Sequence, residues 1–254
     1  MRILVTNDDG IHAPGLDICV DIARALSDDV WVVAPETDQS GVAHSLSLND
    51  PLRLRKIDDR RFAVKGTPTD CVVMGVRHIL HEKTPDLILS GVNRGRNVAE
   101  DVTYSGTIAA AMEGTILGIP SLALSLSFGA NTRQNPFWDT CVKCGPDVVR
   151  KVLAAGIPGN VLINVNFPDC AAEDVKGIAV TSQGHRGPEL LKIDARHDGR
   201  GHPYFWIAYD RRERPTPSDG TDLAALAANK ISVTPLRLDL TDQAFAAKLS
   251  QTLK

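Results

Sequence analysis

Two adjacent carboxylates, Asp8 and Asp9, stand directly after the run Ile3-Leu4-Val5-Thr6-Asn7 and directly before Gly10. Neighbouring negative charges repel, and burying either one calls for a compensating cation. Gly10 lets the backbone turn sharply enough for both side chains to face one point. This is the make-up of a hard-metal site. It is also ordinary turn chemistry, in which aspartates cap the helix that follows. The pair alone leaves both open.

Three further clusters widen the chemistry. Gln39-Ser40-Gly41 offers a hydroxyl oxygen and a close backbone approach, although a plain loop serine accounts for it in isolation. In Ser90-Gly91-Val92-Asn93-Arg94-Gly95-Arg96-Asn97, Asn93 can lend a carbonyl oxygen to a metal. Arg94 or Arg96 suits a phosphate, and the glycines free backbone amides for an anion. Ser105-Gly106-Thr107 opens a helix, where unpaired amides and the positive dipole end favour phosphate. Simple N-capping by Ser105 or Thr107 explains the same residue types. Two carboxylates, a hydroxyl and an amide carbonyl form an all-oxygen set, suited to Mg²⁺ or Mn²⁺ rather than to thiolate-held zinc.

These clusters need a scaffold that gathers strand ends. Ile3 to Thr6, Val30 to Ala34, Leu87 to Ser90, Ser121 to Ser125 and Val161 to Val165 read as buried strands. Helical patterns lie between them: Leu16 to Leu26, Thr67 to about Leu80, Ser105 to Gly118, and Phe137 to Ala155. Thr67 is the expected N-cap of its helix, with Pro68 in the first position. Strand and helix in alternation predict a Rossmann-like, doubly wound, mostly parallel α/β sheet, whose ligands bind at the carboxyl ends of strands. The polar clusters fall there.

After Asn166 the text becomes polar. Residues 177–209 read as a projecting hairpin or excursion with strand-like ends at Ile178 to Thr181 and Tyr204 to Tyr209. The core is then residues 1–176 and 210–254 of a single domain, closing with a helix near Asp222 to Asn229, a strand from Ile231 to Leu236, and a helix from Asp242. Three consecutive aromatics, Tyr204, Phe205 and Trp206, cannot all face one side of a strand. With Arg211 and Arg212 nearby they suggest an oligomer interface, on which His185, His197 and His202 are loop residues.

The 254 residues carry a formal charge of −3, which gives no reason to expect a nucleic-acid or membrane partner. No apolar run has the length of a signal-peptide core or a membrane span, so a cytoplasmic protein is expected. The five cysteines are odd in number and scattered, unlike a disulfide framework. Cys141 and Cys144 share a helix and read as buried thiols, and His78 and His81 as complements to a helix C-terminus.

The blocks resemble the SurE (survival protein E) family of nucleotidases. The resemblance rests on Arg2 to Ile11 with Pro14-Gly15, Val33-Ala34-Pro35 with Gln39-Ser40-Gly41 and His44-Ser45, and Gly66 to Val72. It continues through Ser90 to Gly95 with Asn97, Tyr104 to Thr107, Asp219 to Asp222, and Ile231 to Leu236. It departs at Ala99, where many members carry glycine, and over Arg186 to Pro203. The resemblance implies a Rossmann-like core, one divalent cation (Mg²⁺ or Mn²⁺) per subunit on Asp8, Asp9, Ser40 and Asn93, and a homodimer or homotetramer. It also implies hydrolysis of nucleoside 5′- or 3′-monophosphates, the phosphate held by Asn97, Ser105, Gly106 and Thr107.

Among function classes, a metal-dependent phosphomonoesterase comes first, with Asp8 activating water and Asp9 chiefly a ligand. An aspartyl-phosphate mechanism wants carboxylates one residue apart, and Gly10 occupies the position two beyond Asp8. A nucleotide–metal binding module without catalysis uses the same oxygens. A dinucleotide oxidoreductase lacks its G-x-G-x-x-G after the first strand.

Overall fold

The computed structural model describes residues 1–187, 191–209 and 217–253. Arg211 and Arg212 lie outside the described residues. The chain runs β1 (Arg2–Thr6), α1 (Pro14–Arg24), β2 (Asp29–Pro35), β3 (Arg53–Asp58), β4 (Arg61–Lys65), α2 (Pro68–Met74) and β5 (Leu87–Arg94). There follow α3 (Gly106–Ile116), β6 (Ser121–Leu126), α4 (Trp138–Ala155), β7 (Val161–Phe167), β8 (Ile178–Val180), β9 (Leu191–His197) and β10 (Pro203–Tyr209). The C-terminal elements are α5 (Asp222–Ala227), β11 (Ile231–Arg237) and α6 (Gln243–Thr252).

A nine-stranded sheet has the order β3-β4-β2-β1-β5-β6-β7-β11-β8. The six strands from β4 to β7 pair in parallel, while β3 against β4 and β11 against β7 are antiparallel. The doubly wound, mostly parallel reading therefore holds. Alternation along β1 feeds both faces: Ile3 and Val5 pack with α1 and α4, while Leu4 packs with Val33, Val72 and Ile88 on the other face. From β1 the chain moves outward to β2 and β4, then returns to β5 on the opposite side. The carboxyl ends of β1 and β5 thus flank the switch in strand order, where such sheets open a crevice.

Local chemistry explains the helix starts. Thr67 and Asp70 form a reciprocal capping box with Pro68 in the first turn. Ser105 caps α3 by accepting from the Ile108 amide at 3.1 Å. Two expectations need correction. Regular α-helix stops at Met74, and Gly75 to Ile79 forms a π-helical turn. Ile178–Val180 is not an end of the hairpin: it pairs with β11 at the sheet edge. The true partner of β10 is β9, whose alternating apolar and polar residues the sequence reading left inside the polar excursion. The pair β3–β4 also escaped the sequence reading, because four of the six β3 residues are charged.

Candidate active site

β1 delivers Asn7, Asp8 and Asp9 to the crevice. Asn7 donates to the Gly10 carbonyl at 2.9 Å, and Gly10 itself has φ +101°, which favours glycine. Asp8 is buried and Asp9 half-buried. The Asp8 carboxyl accepts from the Thr107 hydroxyl at 2.6 Å. Burial, and then the charge of Asp9, raise its pKa from 3.8 to about 7, with Asp38 adding to the rise and Thr107 opposing it. Burial also raises Asp9, against which the Arg94 amide donates at 3.2 Å and the Arg94 guanidinium attracts.

The loop after β2 meets this pair. The Gln39 amide donates to the Asp8 carbonyl at 2.8 Å, which brings Ser40 to the strand end. Ser40 donates its hydroxyl to Asp38 at 2.6 Å. From β5, Asn93 spends its side-chain NH₂ on the Gly95 carbonyl at 2.8 Å, and its carbonyl oxygen has no hydrogen-bond partner among the described residues. Two buried or half-buried carboxylates, an amide oxygen and a hydroxyl thus stand on the loops at this strand end, where Asp8, Asp9 and Asp38 repel one another and Arg94 attracts Asp9. That donor set fits a hard divalent cation. Among the described residues no group of three or more His, Cys, Asp or Glu is placed to hold one. The fit is to this mixed oxygen set.

The phosphate candidates occupy the α3 side. Gly106 packs so closely that a Cβ there would lie 2.8 Å from the Asp8 Cβ and 3.1 Å from its Oδ2. Asn97 is buried, with its NH₂ donating to Ser125 at 2.9 Å and to Thr107 at 3.3 Å. Asn97 and Thr107 are therefore joined to each other and to Asp8 rather than standing as separate arms. Arg94 turns elsewhere: its guanidinium lies over Phe128 and donates to the Arg133 carbonyl.

Sequence reasoning missed the supports of this loop. Asn164 and Asn166 both donate to the Asn97 carbonyl, and Asn166 accepts from the Asn97 amide at 2.8 Å. Two asparagines in the core strand Val161–Phe167 were the available signal, since buried amides need partners. Ala99 has φ 53°, the conformation that glycine adopts at least cost. Buried Asp222 holds the Ala99 amide at 2.9 Å, and Gln183 donates to the Ala99 carbonyl at 2.8 Å. Asp38, the third charge acting on the carboxylate pair, was also missed.

Other candidates resolve plainly. Cys141 is buried, and burial pushes its thiol well above the usual range. His81 contacts the His78 carbonyl at the end of its helical segment. Among the described residues no helix is long and apolar enough to cross a membrane.

The sequence pattern of the family described as Survival protein SurE matches residues 3–189. A relative from Bradyrhizobium sp. (strain ORS 278), named 5′-nucleotidase SurE, is 69% identical over the whole of both chains. One of the same name from Methylorubrum extorquens (strain PA1) is 69% identical over 96% of this chain and 95% of its own. The crystal structure of SurE protein from Aquifex aeolicus superposes over all of both chains with a TM-score of 0.85 at 42% identity. A family pattern spanning most of the chain and relatives aligned end to end give one answer: the chain belongs to the SurE family.

Proposed function

We propose that the chain is a metal-dependent nucleotidase that hydrolyses nucleoside 5′-monophosphates to nucleoside and phosphate, with 3′-monophosphates as further substrates. The observation that carries this reading is the buried Asp8 beside Asp9 at the switch between β1 and β5, faced by the start of α3. The names of relatives at 66–69% identity support it. Asp8, Asp9, Ser40 and Asn93 would hold one Mg²⁺ or Mn²⁺ per subunit. When bound, the cation polarises a phosphoryl oxygen and lowers the barrier to attack by water. Asp8, held in place by the Thr107 hydroxyl, takes the proton of the attacking water. The N-terminal amides of α3 receive the phosphate, because Gly106 has no side chain to keep it from Asp8. Asn97 and Ser105 fix that helix start, Asn97 through Thr107 and Ser105 as the cap.

The hairpin supports assembly as a homodimer or homotetramer. Phe205 and Ile207 lie opposite Ala195 and Ile193 on one face of β9–β10, at 63% and 72% exposure. A two-stranded ribbon with an uncovered apolar face is marginal alone. The test of the activity is phosphate release from a panel of nucleoside monophosphates with Mg²⁺, Mn²⁺ or chelator. Release that requires the cation is the expected result. Nucleotide binding without release would instead favour a sensing module.

A further inference from the structure

Asp8 and Asp9 face different surroundings. Asp8 touches α3 through Thr107 and Gly106, whereas Asp9 borders a cavity of about 380 Å³ to which α3 contributes nothing. Its walls are the turn after β1, the first residues beyond β2, and Arg94 at the end of β5. That volume lies within the range of small-ligand pockets, about 300–1,000 Å³. In phosphoryl transfer the attacking and leaving oxygens lie roughly in line through phosphorus. With phosphate at the α3 start, the leaving group has room on the Asp9 side.

The lining says what that group is. Glu36 gives Oε1 to Arg55 Nε at 3.0 Å, and Oε2 has no partner among the described residues. Asp38 Oδ1 accepts from the Ser40 amide and hydroxyl at 2.8 and 2.6 Å, and Oδ2 has no donor among the described residues. Two spare carboxylate oxygens match the hydroxyl donors of a ribose, as an acidic residue does in dinucleotide folds. His12, an exposed residue with a flat ring, lines the cavity beside the fully buried Ile11. A second phosphate in the same space would meet three carboxylates, Asp9, Glu36 and Asp38, against the single cation Arg94 of the lining, whereas an uncharged nucleoside meets no net repulsion.

We propose that this cavity receives the nucleoside of the substrate, the ribose hydroxyls on Glu36 and Asp38 and the base against His12. The inference rests on the nucleotidase reading, so its test separates the two. Values of kcat/KM are measured with Mn²⁺ for a ribonucleoside 5′-monophosphate, its 2′,3′-dideoxy counterpart and p-nitrophenyl phosphate. Glu36→Gln should lower the preference for ribo over dideoxy about tenfold, the worth of one hydrogen bond to a charged group. His12→Ala should lower the preference for the nucleotide over p-nitrophenyl phosphate about fivefold, the lower end of base stacking. Ratios equal to those of the wild type, or a uniform loss on all three substrates, would overturn the proposal. If the wild type releases phosphate from none of them, the nucleotidase reading fails instead. The cavity is then tested by calorimetry with adenosine: weaker binding by Glu36→Gln and His12→Ala upholds it, and no binding or equal binding by all three proteins overturns it.

Discussion

The Thr107 hydroxyl donates to Asp8 at 2.6 Å across 99 residues of chain, and this bond ties the first turn of α3 to the end of β1. It is a main influence holding the Asp8 carboxyl toward its ionised form, against burial and the charge of Asp9. Thr107→Val keeps the shape and removes the donor. We expect the acidic limb of the kcat/KM profile to move to higher pH, by about one unit for about 1.4 kcal/mol of lost interaction. A limb that stays in place would show that Asp8 does not govern it.

Asp8→Asn should abolish turnover and leave the fold intact, since the change is nearly isosteric and removes one of two repelling charges. A loss of at least about a thousandfold in kcat is expected for a group that handles the transferred proton and holds the cation. Near-normal kcat would end both roles. A melting curve without added metal supplies the folding control.

The raised Asp8 also sets a pH dependence of stability for the metal-free protein. Between 3.8 and about 7 the folded chain retains a proton that the unfolded chain has released. Unfolding free energy therefore falls as pH rises through that window, by up to about 4 kcal/mol for this group. Asp8→Asn should flatten the slope and raise the neutral-pH melting temperature in chelator. An Asp8→Asn slope equal to the wild type's would contradict this account.

Gly106→Ala tests the approach of α3 to the carboxylate. The added Cβ would lie 2.8 Å from the Asp8 Cβ and 3.1 Å from Pro68 Cγ, so one wall must move. Overpacking of this kind costs about 1–3 kcal/mol. We expect a lowered melting temperature and a fall in kcat exceeding any rise in KM. Unaltered kinetics would place the phosphate elsewhere.

For assembly, Phe205→Asp combined with Ile207→Asp puts two charges on the uncovered hairpin face. Sedimentation of the wild type should report a dimer or tetramer at micromolar concentration, and the double variant a smaller species. An unchanged assembly would locate the interface away from β9–β10.

The sheet and the carboxylate pair were legible because strand periodicity and strand-end polarity are local signals. Thr67 and Ser105 announced their helices for the same reason, each capping a residue three positions on. What stayed hidden depends on distant pairing. β3 is charged and exposed, so its pairing with β4 lends it no apolar signature. The partner of β10 was misread because Ile178 and Leu191 begin equally plausible strands, and only the place beside β11 selects the first. Asp38 showed no motif of its own, and its influence on Asp8 arises from the folding of one loop over another.

Ala99 adopts its left-handed backbone under the hold of Asp222, which lies 123 residues further along. Every candidate metal ligand has left the ribosome long before that aspartate does. The turn beyond Asn97 is thus among the last parts of the site to be secured during synthesis. A chain cut short ahead of Asp222 would carry all four oxygen donors beside a turn that keeps its bond to Gln183 but lacks a partner for the Ala99 amide. One clasp of the site is in this way supplied by a stretch of chain made well after its candidate ligands.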